Sequence, residues 1–128
     1  MTGDSPSPQA AARAAQQRRR LAAERASTEA RVAALRRDFD AIVSSSASAA
    51  GADDEHDPEG SSTAFDRQHV AALIGEAADQ LAGIARAEAR LDDGSYGRCE
   101  RCGRPIGAER LVARPAAATC IACASRRP

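Results

Sequence analysis

A mainly α fold, a long antiparallel helical hairpin of coiled-coil type followed by a small four-cysteine finger, is what this sequence predicts. Three observations carry that reading. Residues 9–43 contain no Gly or Pro and repeat small or apolar side chains every seven residues. Residues 70–91 repeat them at spacings of four and three, and residues 94–128 hold two Cys-x-x-Cys pairs. About a quarter of the 128 residues are Ala, and the aromatic residues are Phe39, Phe65 and Tyr96, too little bulk for a thick core. Ala, Leu, Arg and Glu dominate instead, the composition of helices that pack on other helices.

The first helix carries its stripe at Ala14, Leu21, Thr28, Leu35 and Ile42, with Val32 and Phe39 in the second position of the repeat. Arg18 and Arg25 occupy that second position in the N-terminal half, which weakens the stripe there, and fraying is expected toward residue 10. Residues 44–62, rich in Ser, Gly and Asp and containing Pro58, break the pattern and read as a loop. The second helix resumes with Val70, Ile74, Ala77, Leu81, Ile84 and Leu91, with Ser61 or Ser62 as its N-cap and Asp93-Gly94 as its C-terminal stop. Each helix would be roughly 50 Å long at 1.5 Å per residue. Similar lengths joined by one loop favour an antiparallel pair, because neither stripe stays exposed in water. The expected division is therefore a disordered N-terminus at 1–8, a hairpin at 9–93 with an acidic tip loop at about 44–62, and a finger at 94–128.

Cys99-x-x-Cys102 and Cys120-x-x-Cys123 stand seventeen residues apart. A two-residue spacer lets both thiolates of one turn face a single ion, and a gap of this length lets the second turn fold back onto it. The spacing predicts one structural Zn²⁺ held by Cys99, Cys102, Cys120 and Cys123, with Gly103 supplying backbone freedom in the first turn. Disulfides or a redox dithiol are the competing readings. They fit less well, since no export signal and no βαβ context accompany the cysteines. Four protein ligands leave no open position on the metal, and the chain shows no Ser/His/Asp set and no phosphate-cradling Gly loop, so an enzyme is not expected.

His56 and His69 read as solvated or helix-face residues rather than ligands, and the acidic run Asp53, Asp54, Glu55, Asp57, Glu59 lacks the oxygen spacing of an EF-hand. Formal charge is zero but segregated: residues 1–50 carry eight Arg against five acids, residues 51–97 three against eleven, and residues 98–128 seven against two. No apolar run is long enough for a membrane span, and a cytoplasmic setting is expected.

The run from Tyr96 to Cys123, with Tyr96-Gly97, Cys102-Gly103, Pro105-Ile106, Arg110-Leu111, Ala113, Pro115 and the second Cys pair, resembles the DksA/TraR family of zinc-finger proteins. The resemblance covers residues 94–123 by sequence and the hairpin by architecture. It implies a bacterial protein that binds RNA polymerase and inserts its coiled-coil tip into the secondary channel, changing initiation without sequence-specific DNA binding. The family's tip carries Asp-x-x-Asp-x-Ala near the polymerase magnesium. By that resemblance Asp54 and Asp57 are the tip carboxylates, with Glu59 in place of the Ala and Pro58 before it. Longer members have a further C-terminal helix whose basic residues help bind ppGpp, and no residue is assigned to that nucleotide here.

Two other functions compete. One is nucleic-acid binding through the Arg-rich first helix and finger, opposed by the net negative charge of a Cys₄ zinc site and by the scarcity of aromatic platforms. The other is redox or zinc sensing, in which thiolate oxidation releases the metal.

Overall fold

A computed structural model describes residues 5–49 and 58–126. Its elements are α1 (Pro8–Ala49), α2 (Pro58–Asp93), α3 (Ala108–Ala113) and α4 (Ile121–Ala124), and no strand occurs among the described residues.

The termini of α1 and α2 follow from local chemistry. Ser7 accepts the Ala10 N–H on its Oγ at 3.1 Å, and Pro8 follows in the first helical position, where its missing N–H costs nothing. At the other end of the pair, Gly94 takes a left-handed φ of 84° and lets the chain leave α2 after Asp93. The Ser95 N–H reaches back to the Arg90 carbonyl at 2.9 Å, the bond that defines a Schellman stop. Asp93 secures the turn by accepting both the N–H and the hydroxyl of Ser95, at 2.9 and 2.5 Å. These bonds hold the Asp93 carboxyl below its usual range, with the Ser95 hydroxyl the main cause.

Both helices run further than the composition of residues 44–62 suggested. α1 continues to Ala49 and α2 begins at Pro58, so Ser62 lies inside α2 rather than at its cap. Ser and Ala are tolerated in a helix, and Pro belongs in a first turn, so the segment breaks the stripe without breaking the helices. The tip residues Asp54 and Asp57 lie outside the described residues.

The chain divides into two compact units. The first comprises Met1–Ala26 and Ala82–Pro128. In it, Leu21, Ile84 and Ala87 are fully buried or nearly so, with Leu21 and Ile84 the largest fully buried side chains. Arg18 bonds Asp92 at 2.7 Å, and Arg25 pairs with Glu88. Numbering that rises along α1 as it falls along α2 makes this helix pair antiparallel. Arg25, which interrupts the apolar stripe of α1, is thus answered across the seam by Glu88, four residues beyond Ile84.

The second unit, Ser27–Leu81, buries Thr28, Val32 and Ala77. Arg31 donates to Gln80, and Asp38, Ala41 and Ile42 share an open cavity with Asp66, His69 and Val70, which is again antiparallel pairing. Leu35, Phe39, Ile42, Ile74 and Leu81 are half-buried, as expected where much of a seam is Ala. Phe65 is 70% exposed and stacks on the His69 ring, centroids 6.5 Å apart and planes 5° apart.

Ile84 is 1% exposed. Ile84→Asp should therefore lower stability by about 3–5 kcal/mol through an unpaired buried charge and lost packing, read as a fall in melting temperature by circular dichroism. Phe65→Ala should shift stability by less than about 0.5 kcal/mol. Equal effects of the two substitutions would mean that the buried face of α2 is misassigned.

Candidate metal centre

The finger begins at the end of α2, where the Schellman turn hands the chain to Tyr96. Gly97 and Gly103 have φ of 88° and 75°, a region L side chains seldom adopt, so the turns flanking Cys99-x-x-Cys102 depend on glycine. Four backbone bonds then close the first knuckle. The Cys99 N–H donates to the Arg104 carbonyl at 2.8 Å, Gly103 N–H to Cys99 at 2.9 Å, Ile106 N–H to Gly97 at 2.8 Å, and Glu100 N–H to Ala118 at 2.9 Å. The last of these ties the first Cys pair to the segment leading into the second. Cys120 precedes α4, whose first turn brings Cys123 back toward it, the Ala124 N–H bonding the Cys120 carbonyl at 2.9 Å.

Side chains brace this frame. Cys99, Ile106, Leu111 and Cys123 form a buried cluster, against which Tyr96, Ala117 and Cys120 pack. The Tyr96 hydroxyl donates to the Pro115 carbonyl at 2.6 Å, and burial raises its pKa. Arg110 Nε donates to the Thr119 carbonyl at 2.9 Å. Arg90, 9% exposed in the last turn of α2, bonds Glu100 at 2.8 Å and reaches the Ala117 carbonyl at 3.5 Å. Glu100 stands between the first two cysteines, so the buried guanidinium fastens α2 directly to the first knuckle. Arg90 and Glu100 were not singled out from the sequence. A lone Arg at a helix end looks like a favourable dipole partner, and its burial depends on the returning segment around Ala117.

The four Sγ atoms all lie within 4.8 Å of one another. Four thiolates about 2.3 Å from a zinc ion define a tetrahedron with edges of about 3.8 Å. The Sγ atoms of Cys102 and Cys120 stand 3.8 Å apart, close to that edge, and all four cysteines are free rather than disulfide-bonded. Among the described residues this is the one group of three or more potential ligands placed to hold a metal. His69 is not part of this group, and its ring stacks on Phe65 within α2.

The electrostatics of the thiols suit a cation. Backbone N–H groups, that of Cys120 first, hold the Cys99 thiol down to about 6, and the Cys123 N–H acts in the same sense on Cys120. Cys123 is pushed up to about 12, chiefly by hydrogen bonding with Cys120 and then Cys99. Crowded thiols retain a proton because their thiolates repel. A divalent ion at their centre removes that repulsion and favours all four thiolates. The donor set, its spacing and its hydrogen-bonded frame all fit Zn²⁺, and four sulfur ligands would leave no position for water or substrate.

This arrangement defines a class: a helical hairpin joined to a closed, structural C4 zinc finger. Residues 94–128 match the family of the prokaryotic dksA/traR C4-type zinc finger. RNA polymerase-binding transcription factors DksA from two strains of Caulobacter vibrioides are each 49% identical over 43 residues, which is 34% of this chain and 30% of theirs. The match thus spans under a third of the length of those curated relatives. The structure of transcription factor DksA2 from Pseudomonas aeruginosa superposes with a TM-score of 0.73 at 27% identity, over 90% of this chain and 82% of that one. Residues 94–128 thus carry the C4-type finger of the dksA/traR family, its four cysteines close enough together for one structural Zn²⁺, and the chain as a whole is similar in fold to DksA2. Among the described residues no helix is long and apolar enough to cross a membrane.

Metal analysis of the purified protein should give close to one zinc per chain, and Cys123→Ser should reduce it sharply while α1 and α2 remain helical. Because protons compete with the metal for thiolate, zinc should be released as pH falls, not as it rises. A finger that keeps its backbone protection against hydrogen exchange after chelation would show that the metal does not hold it.

Proposed function

We propose that this protein binds bacterial RNA polymerase and regulates transcription initiation, with Cys99, Cys102, Cys120 and Cys123 as the ligands of a structural Zn²⁺. The observation that carries the reading is the match to RNA polymerase-binding transcription factors at the finger, continued over the hairpin by the likeness to DksA2. No reaction is assigned to the chain itself. A closed metal site stabilises the finger, and the paired helices serve as the support for the segment that joins them.

The loop between α1 and α2, with Asp54 and Asp57, is the effector in this reading. Carboxylates are hard oxygen ligands drawn to a catalytic magnesium, and helices that are already formed reduce the ordering cost of insertion into the secondary channel. Glu59, where better-known members have Ala, extends an acidic run that already holds Asp53, Asp54, Glu55 and Asp57.

Binding and effect should separate. Asp54→Asn with Asp57→Asn should leave polymerase affinity within a few fold of wild type yet abolish the change in initiation in a purified transcription assay. A double variant that alters transcription as wild type does would remove the loop from the mechanism. A wild-type chain that fails to bind polymerase would remove the function.

A further inference from the structure

A groove of about 490 Å³ lies in the first compact unit between the start of α1 and the finger. One wall is Arg13, Gln16, Gln17 and Arg20, spaced by three, one and three residues and so lying along one face of α1. The other is built on Gly97, Pro105, Gly107, Ala108, Leu111 and Val112, from the first knuckle through α3. The lining holds two guanidinium groups and no carboxylate. Among the described residues of this unit, Arg18 pairs with Asp92, Arg25 with Glu88 and Arg90 with Glu100, and neither Arg13 nor Arg20 takes part in these pairs. Val112 is 56% exposed, an apolar side chain presented to solvent at the groove.

We infer that this groove docks an acidic segment of the polymerase, one that places an apolar side chain against Val112 between carboxylates that meet Arg13 and Arg20. The inference rests on the polymerase-binding reading and deepens it by assigning a contact surface formed by α1 and the finger. Charge complementarity selects the occupant. Arg13 and Arg20 are seven residues apart, about 10 Å along a helix, so the partner carboxylates are separated by a similar distance. Arg suits carboxylate recognition through its planar fork, and a groove with unopposed positive charge steers an acidic partner during encounter. A single-stranded nucleic acid fits less well, since no aromatic side chain lines the groove to stack a base.

The test compares affinities of the full chain for bacterial core RNA polymerase. Arg13→Glu with Arg20→Glu should weaken binding at least about tenfold, because like charges would then face each other across the contact. Val112→Glu should act in the same direction. Wild-type affinity should fall as salt rises, and that of the charge-reversed variant should fall less. Zinc content and helical circular dichroism should not change. If a reversal disturbs either, Arg13→Gln with Arg20→Gln keeps the packing and should still lose affinity and salt dependence. Wild-type binding with unchanged affinity in these variants overturns the groove as a dock while leaving the polymerase reading intact. Absence of wild-type binding overturns both. Single-stranded DNA that binds wild type and not the charge-reversed variant would assign the groove to nucleic acid and overturn the inference.

Discussion

Four thiolates converging on one ion are the constraint on which the finger depends. Its buried cluster is Cys99, Ile106, Leu111 and Cys123, so half of the side chains in that cluster belong to the four cysteines placed to hold the ion. Two aliphatic side chains bury too little surface to offset the ordering of a segment this rich in turns. Without the cation the crowded sulfurs share protons, and hydrogen bonding with Cys120 and Cys99 holds the Cys123 thiol in its protonated form. With it, the metal supplies the cross-link that small domains otherwise draw from disulfides or a larger core. The left-handed glycines Gly97 and Gly103 and the knuckle hydrogen bonds set the direction of approach, and the metal supplies the free energy that keeps it.

Arg90 extends this constraint into α2. Its guanidinium binds Glu100 beside the first ligand pair and approaches Ala117 on the strap leading to the second. A charge at 9% exposure is costly unless it is paired, so the finger must be closed around it for α2 to keep its last turn as it is. The Schellman turn at Gly94 uses the carbonyl of the same residue. Backbone and side chain of one Arg thus end the helix and join it to the metal lobe.

The fold was legible because its signals are periodic. The seven-residue repeat through Leu21 and Thr28 and the four-three alternation through Ala77 and Ile84 mark residues that are buried, and the two Cys pairs mark sulfurs that converge. The ends near the tip were less legible. Ser44–Ala49 and Pro58–Ser62 look like loop by composition, but helix continuation depends on backbone compatibility, which Ser and Ala allow and which Pro allows in a first turn. The site was legible to the level of its four converging cysteines and no further. Arg90 with Glu100, Tyr96 with Pro115, and Arg110 with Thr119 join residues nine to nineteen apart through carbonyls or charges that have no sequence signature of their own. Such contacts arise from the way separate segments meet in three dimensions, which no local pattern of residues encodes.

The Arg residues of α1 show how one repeat serves two surfaces. Arg18 and Arg25 fall seven apart in one phase, and Arg13 and Arg20 fall seven apart in another, five residues earlier. Five residues turn an α-helix by about 140° from a starting direction, so the two pairs occupy different faces. The first pair interrupts the apolar stripe and would weaken the seam if α2 did not answer with Glu88 and Asp92. Those acids are thereby committed to the hairpin. The second pair meets a wall of Gly, Pro, Ala, Leu and Val in which no acid is offered. A chain of zero formal charge thus concentrates positive charge locally, with Glu88 and Asp92 committed to the helix seam and no acid in the lining of one groove of the metal-bearing unit.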